Sequence, residues 1–324
     1  MGGEFDSDRP YIHRVSRSLQ IKPKRATLMN AFCCFDYRFK EPSNLTIADW
    51  HDLLTILGHA TSVTAVRLLP SPEEVAGLIV HTLSTLRQVR SLTMLAGGSG
   101  ALSLSITEIR VAIAQWQDLK VLQLHEWMQK NSDITLYPHS LACKIETLDL
   151  YRDTLTSLQL MSFVTSPTLP HLHTLHLHEI QGFSDHDFFL FLSSVASTLS
   201  HLVVMDCLMP CSSPEEELAL DAAMPILHAL HSLSVDAAHI TALAISRKGV
   251  QAGQDLDDLE DRSSIVIEFA FADLFLEQLE HAMGVTGWQR VSIQWSEELS
   301  DLDDDILQRA SNVAVERNIH LEIV

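Results

Sequence analysis

Basic residues are scarce: 22 Lys and Arg stand against 42 Asp and Glu, a formal net charge of −20 over 324 residues. Phosphate binding needs clustered cations that release counterions, so this balance argues against a nucleic-acid partner. Long apolar runs are also lacking. The best stretch, Phe188 to Met205, is broken by Ser193, Ser194, Ser197, Thr198, Ser200 and His201, so no membrane span is expected. Cysteine is sparse and odd in number, five in all with Cys33 and Cys34 adjacent. That usage suits reduced thiols in a cytoplasmic or nuclear setting better than a disulfide framework. There is no Gly-x-Ser-x-Gly nucleophile elbow, and Gly97-Gly98-Ser99-Gly100 lacks the Gly-Lys-Ser/Thr ending of a phosphate loop. The acidic stretches Asp255–Asp261 and Glu297–Asp305 lack the mid-loop Gly and terminal Glu of a calcium loop. No enzyme chemistry is legible, and no cofactor is expected.

Hydrophobic residues nevertheless make up 46% of the chain, enough for a large or elongated core. They are arranged in a repeat. An apolar triplet Φ-x-x-Φ-x-Φ recurs as Val63/Val66/Leu68, Val89/Leu92/Met94, Leu119/Leu122/Leu124 and Ile145/Leu148/Leu150. It continues as Leu172/Leu175/Leu177, Leu199/Leu202/Val204 and Leu230/Leu233/Val235. Successive first positions are separated by 26, 30, 26, 27, 27 and 31 residues. A period this narrow marks an array of like units.

The last two apolar positions of a triplet lie two residues apart and share one face of a strand, with the first in the turn leading into it. Helical periodicity appears between triplets: Ile106, Ile109, Val111, Ile113 and Trp116 form one stripe, Phe188, Leu192 and Val195 another. Ser71-Pro72-Glu73-Glu74 and Ser213-Pro214-Glu215-Glu216 each read as a capping box opening a helix. One strand and one helix per unit cannot bury a core alone, so neighbours must stack. The fold class expected is therefore α/β, a curved solenoid with parallel strands on its concave face and helices on its convex face.

Residues 1–8 are read as a tag or a disordered end. Residues 9–62 are an N-terminal cap and first irregular repeat, with Val15, Leu19 and Ile21 in an imperfect strand and a helix over 46–59. The repeats proper occupy 63–245, an acidic loop 246–264, and degenerate repeats with a cap 265–324. In that last part the runs Ile265–Phe269, Trp288–Trp295 and Ile319–Val324 are expected strands, with helices over 271–283 and 300–316. The short basic run Lys22-Pro-Lys-Arg25 reads as a solvated loop, with contact to an acidic partner or a nuclear signal as alternatives.

Leu119-Lys-Val-Leu-Gln-Leu124 and Leu172-His-Thr-Leu-His-Leu177 resemble leucine-rich-repeat proteins with long, helix-containing repeats. The phrase Pro10-Tyr-Ile-His-Arg-Val-Ser-Arg-Ser-Leu-Gln-Ile21 resembles the segment that follows the F-box in fungal F-box/leucine-rich-repeat proteins. The resemblance covers residues 10 to 240. It implies a non-enzymatic interaction module, the substrate-recognition part of a ubiquitin ligase adaptor. Two departures stand out. No F-box is seen in these residues, and the Asn or Cys expected three residues past the last Leu is replaced by Trp127, Asp153, Ile180 and Ala238, with only Cys207 matching.

Strand residues that alternate with the triplets face the concave side. In the middle of the sheet these gather Gln123, His125, Asp149, Tyr151, His176, His178, His201 and Met205, the candidate surface for a protein partner. The alternative is a ligand or metal site: His176 and His178 share a face about 6.8 Å apart along one strand, and Asp149 is the neighbouring carboxylate. Against it, the chain holds 17 His, and His171 and His173 cluster there with no such logic. Oligomeric state is left open.

Overall fold

The computed structural model describes residues 9–22, 28–33, 45–68, 71–95, 109, 112–125, 143–152, 155, 171–209, 218–236, 238–241, 264–270, 288–295 and 304–323. Within these, every triplet does the same job. The last two apolar positions fall in a strand: β2 (Ala65–Leu68), β3 (Ser91–Leu95), β4 (Val121–His125), β5 (Thr147–Tyr151), β6 (Thr174–His178), β7 (His201–Met205) and β8 (Ser232–Asp236). The first lies two residues ahead of each strand. None of the 21 triplet residues is more than 4% exposed. Burying a Leu or Val side chain contributes roughly 1.5–3 kcal/mol, so the triplets supply a large share of the apolar driving force, beside the buried helix and loop residues such as Trp50, Trp116 and Phe188.

Four further strands are β1 (Ala31–Cys33), β9 (Ser264–Ala270), β10 (Arg290–Trp295) and β11 (His320–Ile323). The protein is α/β, with an open sheet of eleven strands in chain order and parallel pairing. The expected C-terminal strands are present as β9, β10 and β11. Two compact units divide the chain: Met1–Thr154 with Ser162–His171, and Leu155–Met161 with Leu172–Val324.

Among the described residues, the first unit holds β1 to β5 and the helices α1 (Arg9–Ile21), α2 (Ile47–His59) and α3 (Ala76–Thr85). One carbonyl just ahead of each strand accepts two N–H groups from the next repeat. Thr64 O takes Arg90 N at 2.7 Å and Ser91 N at 3.0 Å; Arg90 O takes Lys120 and Val121; Lys120 O takes Glu146 and Thr147. This ladder keeps successive strands in register whatever the length of the helical connection. Thr46 caps α2 in a reciprocal box with Asp49. Trp50, Leu54 and Leu57 of α2 are buried, as are Ile79 and Leu83 of α3. Asp52 on α2 meets α1, its Oδ2 2.9 Å from His13 Nδ1. Burial pushes the Asp52 carboxyl up, but the hydrogen-bonded His13 and the nearby His13 and His51 rings outweigh it and hold it below its ordinary value.

The second unit holds β6 to β11 with α4 (Asp185–Val195), α5 (Ala219–Ala223) and α6 (Asp304–Glu316). The carbonyl ladder recurs: His173 O takes Ser200 N and His201 N, and Ser200 O takes His231 N and Ser232 N. Ser184 and Asp187 form a second capping box at α4, whose Phe188, Phe191, Leu192 and Val195 are fully buried. Helix α6 opens at Asp304, at the end of the second acidic stretch.

A left-handed residue closes strands in both units. Arg152, Glu179 and Asp206 each follow the last residue of β5, β6 and β7 with φ of 53°, 52° and 53°. They stand 27 residues apart, so the period is written in the backbone as well as in the triplets. Non-glycine residues adopt this region at a cost of about 1–2 kcal/mol, offset by hydrogen bonds from the turn: Glu179 N donates to Met205 O and Asp206 N to Asp236 Oδ2.

Several expectations are corrected. The segment Tyr11–Ile21 is the helix α1 and not an imperfect strand. Ser16 and Leu19 are buried while Ile21 is 71% exposed, a three-residue spacing that a strand holding Val15, Leu19 and Ile21 on one face could not produce. The first strand is instead β1, too short to carry a triplet. The helix α3 does not open at Ser71: a 3₁₀ turn over Glu73–Val75 comes first, and α3 starts after Val75, which makes no side-chain cap bond. The helix over 46–59 is present as α2. Ile109, Ile113 and Trp116 of the first stripe are buried. The Ser213–Glu216 box, Gly97–Gly100, the helix over 271–283 and all of the 246–264 loop except Ser264, which opens β9, lie outside the described residues.

Candidate functional site

Alternation along each strand follows from the pleat: with Leu148 and Leu150 in the core, Asp149 and Tyr151 must face the other way. In β4, β5 and β6 burial alternates strictly, half-buried then buried. A face of partly accessible side chains therefore runs opposite the core.

In the first unit this face is an ordered polar row. Parallel register places Thr93 beside Gln123 and Gln123 beside Asp149. Thr93 Oγ1 donates to Gln123 Oε1 at 2.7 Å, and Gln123 Nε2 donates to Asp149 Oδ2 at 3.1 Å. The amide thus spans three strands, which fixes both its flip and its rotamer. One register position on, His125 lies beside Tyr151, ring centroids 5.6 Å apart. His125 Nε2 is buried without a hydrogen bond, 3.8 Å from Asp149 Oδ2. The Arg152 guanidinium covers the other part of the Tyr151 ring at 5.1 Å, a cation–π contact. Arg152 was not anticipated. Its signal was weak, a position just past the strand where the left-handed turn brings the side chain back over its neighbour.

The second unit builds its face differently. His176 and His178 lie on one side of β6, rings 6.5 Å apart and nearly perpendicular. Register places them beside Val203 and Met205, and Thr174 beside His201. His201 is exposed, its Nδ1 2.8 Å from Ser200 Oγ. Met205 shares the face but is only 6% exposed, its sulfur 3.9 Å from Ser234 Oγ. It offers a partner almost no surface. Asp236 is buried too, because its oxygens accept the Asp206 and Ala238 N–H groups and lie near His239 Nε2 at 3.5 Å.

Among the described residues no three of His, Cys, Asp and Glu come together to hold a metal ion. Asp149, the carboxylate of the candidate set with His176 and His178, turns its Oδ2 to Gln123 and His125. The cysteines that are described in full, Cys143 and Cys207, are buried. Burial pushes the Cys207 thiol up to about 12, and its Sγ points at Leu177 O and Met205 O. Cys207 stands three residues past the last apolar position of its triplet, and the carbonyls it meets belong to the ends of β6 and β7. Cys34 and Cys211 lie outside the described residues.

Other buried carboxylates serve the backbone. Asp185 Oδ2 accepts Ala219 N at 2.6 Å and Asp221 Oδ1 accepts Thr241 N at 2.9 Å. Burial raises the Asp221 carboxyl above its ordinary value, against hydrogen bonds from Thr241 and with a smaller push from Asp185. Among the described residues no helix is long and apolar enough to cross a membrane. No family model matches this chain, and no curated protein matches it either.

Proposed function

We propose that this chain is a non-enzymatic protein-interaction module, a leucine-rich-repeat solenoid that binds a protein partner through the strand face opposite its core. The observation that supports this most is the polar row Thr93–Gln123–Asp149 with His125 and Tyr151 beside it. Side chains already held by one another lose little freedom on binding. Tyr and Arg, stacked and half accessible, are the residue types that anchor interfaces. In the second unit, His176, His178 and His201 supply a further accessible group of the same kind. The resemblance to fungal F-box/leucine-rich-repeat proteins makes the partner a substrate of a ubiquitin ligase, in the cytoplasm or nucleus.

The test is co-purification from lysate of the source organism, with bound proteins identified by mass spectrometry. The reading predicts a partner that the His125→Ala/Tyr151→Ala variant loses, with the His176→Ala/His178→Ala variant weakened as well. The same partners on wild type and both variants would overturn it.

A further inference from the structure

The charge of this chain is unevenly distributed. From Arg9 to Phe35 there are six Lys and Arg and no Asp or Glu, so the remainder carries a formal charge of −26. Helix α1 lies in this basic stretch. Its inner face, with Ser16 and Leu19 buried, packs on α2 and is pinned by the His13–Asp52 contact. Residues 14, 17, 18, 21 and 22 fall on the opposite face by helical period. Arg14, Arg17, Ile21 and Lys22 are exposed, and with Ser18 they line an open cavity of about 340 Å³. Among the described residues, none of these three cations has a carboxylate partner. Ile21 and Leu28 are 71% and 81% exposed, two of the six exposed large apolar side chains among the described residues.

We propose that this face of α1 is a docking site for a short acidic protein segment carrying one or two apolar side chains. Complementary charge selects the occupant: three cations on one helix face, with no carboxylate partner among the described residues, attract carboxylates within a Debye length of about 8 Å. The exposed Ile21 then gives the segment an apolar foothold. A bilayer is a poorer occupant, because the apolar side of α1 is consumed by α2 and only Ile21 remains on the face to insert. A nucleic acid is poorer still. Its long polyanion would extend beyond the patch and meet a surface that is acidic elsewhere, with few cations to release counterions.

The experiment uses the full chain and a fluorescent peptide of Asp and Glu flanking two Leu residues, read by anisotropy. Binding should weaken as salt rises, fall by roughly tenfold in Arg14→Glu/Arg17→Glu, and fall less in Ile21→Ser. These positions are exposed, so the variants should melt like wild type; Arg14→Gln/Arg17→Gln serves as the milder pair. His125→Ala/Tyr151→Ala should bind the peptide as wild type does, which separates this site from the strand face. Four outcomes overturn the proposal: no peptide binding, equal binding by Arg14→Glu/Arg17→Glu, tighter binding of a DNA duplex or of phosphatidylserine vesicles that the same variant abolishes, or salt-sensitive dimerisation of the chain that the same variant abolishes.

Discussion

The two units use one strand frame to present two different faces. In the first, Gln123 bridges Thr93 and Asp149, and Arg152 covers Tyr151, so this partly buried row is fixed before any partner arrives. In the second, the carboxylate Asp236 is drawn inward to hold a turn and Met205 is buried, so the accessible part of the face falls to His176, His178 and His201. The triplets and the carbonyl ladder are common to both. The core therefore sets where a side chain stands, and the residue next to it sets whether it is available.

The largest effect should come from the shared frame. Leu122→Ala in the first unit and Leu202→Ala in the second, each at a fully buried triplet position, should each cost about 2–5 kcal/mol in urea unfolding. His178→Ala, on the opposite face, should stay within about 0.5 kcal/mol. A large loss for His178→Ala would mean that the two sides of the sheet are not divided as described.

Next comes the inward carboxylate. Asp236→Ala orphans two backbone N–H groups and should cost about 1.5–3 kcal/mol, more than Asp149→Ala, whose oxygen meets a side-chain amide at a partly open surface. Equal costs would erase the difference between the units.

A third prediction contrasts the units by pH. Asp52, in the first, has its folded value lowered, so it adds stability above its unfolded value near 4, lost as pH falls through the folded one. Asp221, in the second, has its folded value raised. Its contribution is fullest below the unfolded value and is lost as pH rises through the folded one. Asp52→Asn should therefore flatten the acid side of the stability profile. Asp221→Asn keeps an acceptor for Thr241 N and should match or exceed wild type at neutral pH, whereas Asp221→Ala should destabilise. Profiles that shift the same way for Asp52→Asn and Asp221→Asn would contradict the assignment.

The smallest effect is chemical. With its thiol pushed up to about 12, Cys207 should resist iodoacetamide at pH 8 in the native state and react only after denaturation, as peptide mapping would show. Rapid native labelling would contradict its burial.

The core was legible because a strand that buries one face must repeat its apolar residues every second position, and all seven triplets became strands. What failed to show was set by contacts between repeats. α1 was misread because Val15, Leu19 and Ile21 match a loose strand pattern, while the burial of Ser16 comes with the packing of α1 on α2, a contact between segments distant in sequence. Ser71 looked like the start of a helix, but the chain first makes a 3₁₀ turn, and among the described residues the capping boxes sit at Thr46 and Ser184 with Asp in place of Glu. Alternation placed His125, Tyr151, His176 and His178 on the outer face. It could not foresee that Met205 would be covered or that Gln123 would tie Asp149.

The most direct test of the account is site-specific photo-crosslinking. A benzophenone side chain would replace Tyr151 on the strand face, with Leu190 on the exposed side of α4 as the control. Crosslinks to a protein partner from position 151 and none from position 190 are the predicted result. Crosslinks from position 190 with none from position 151 would contradict it.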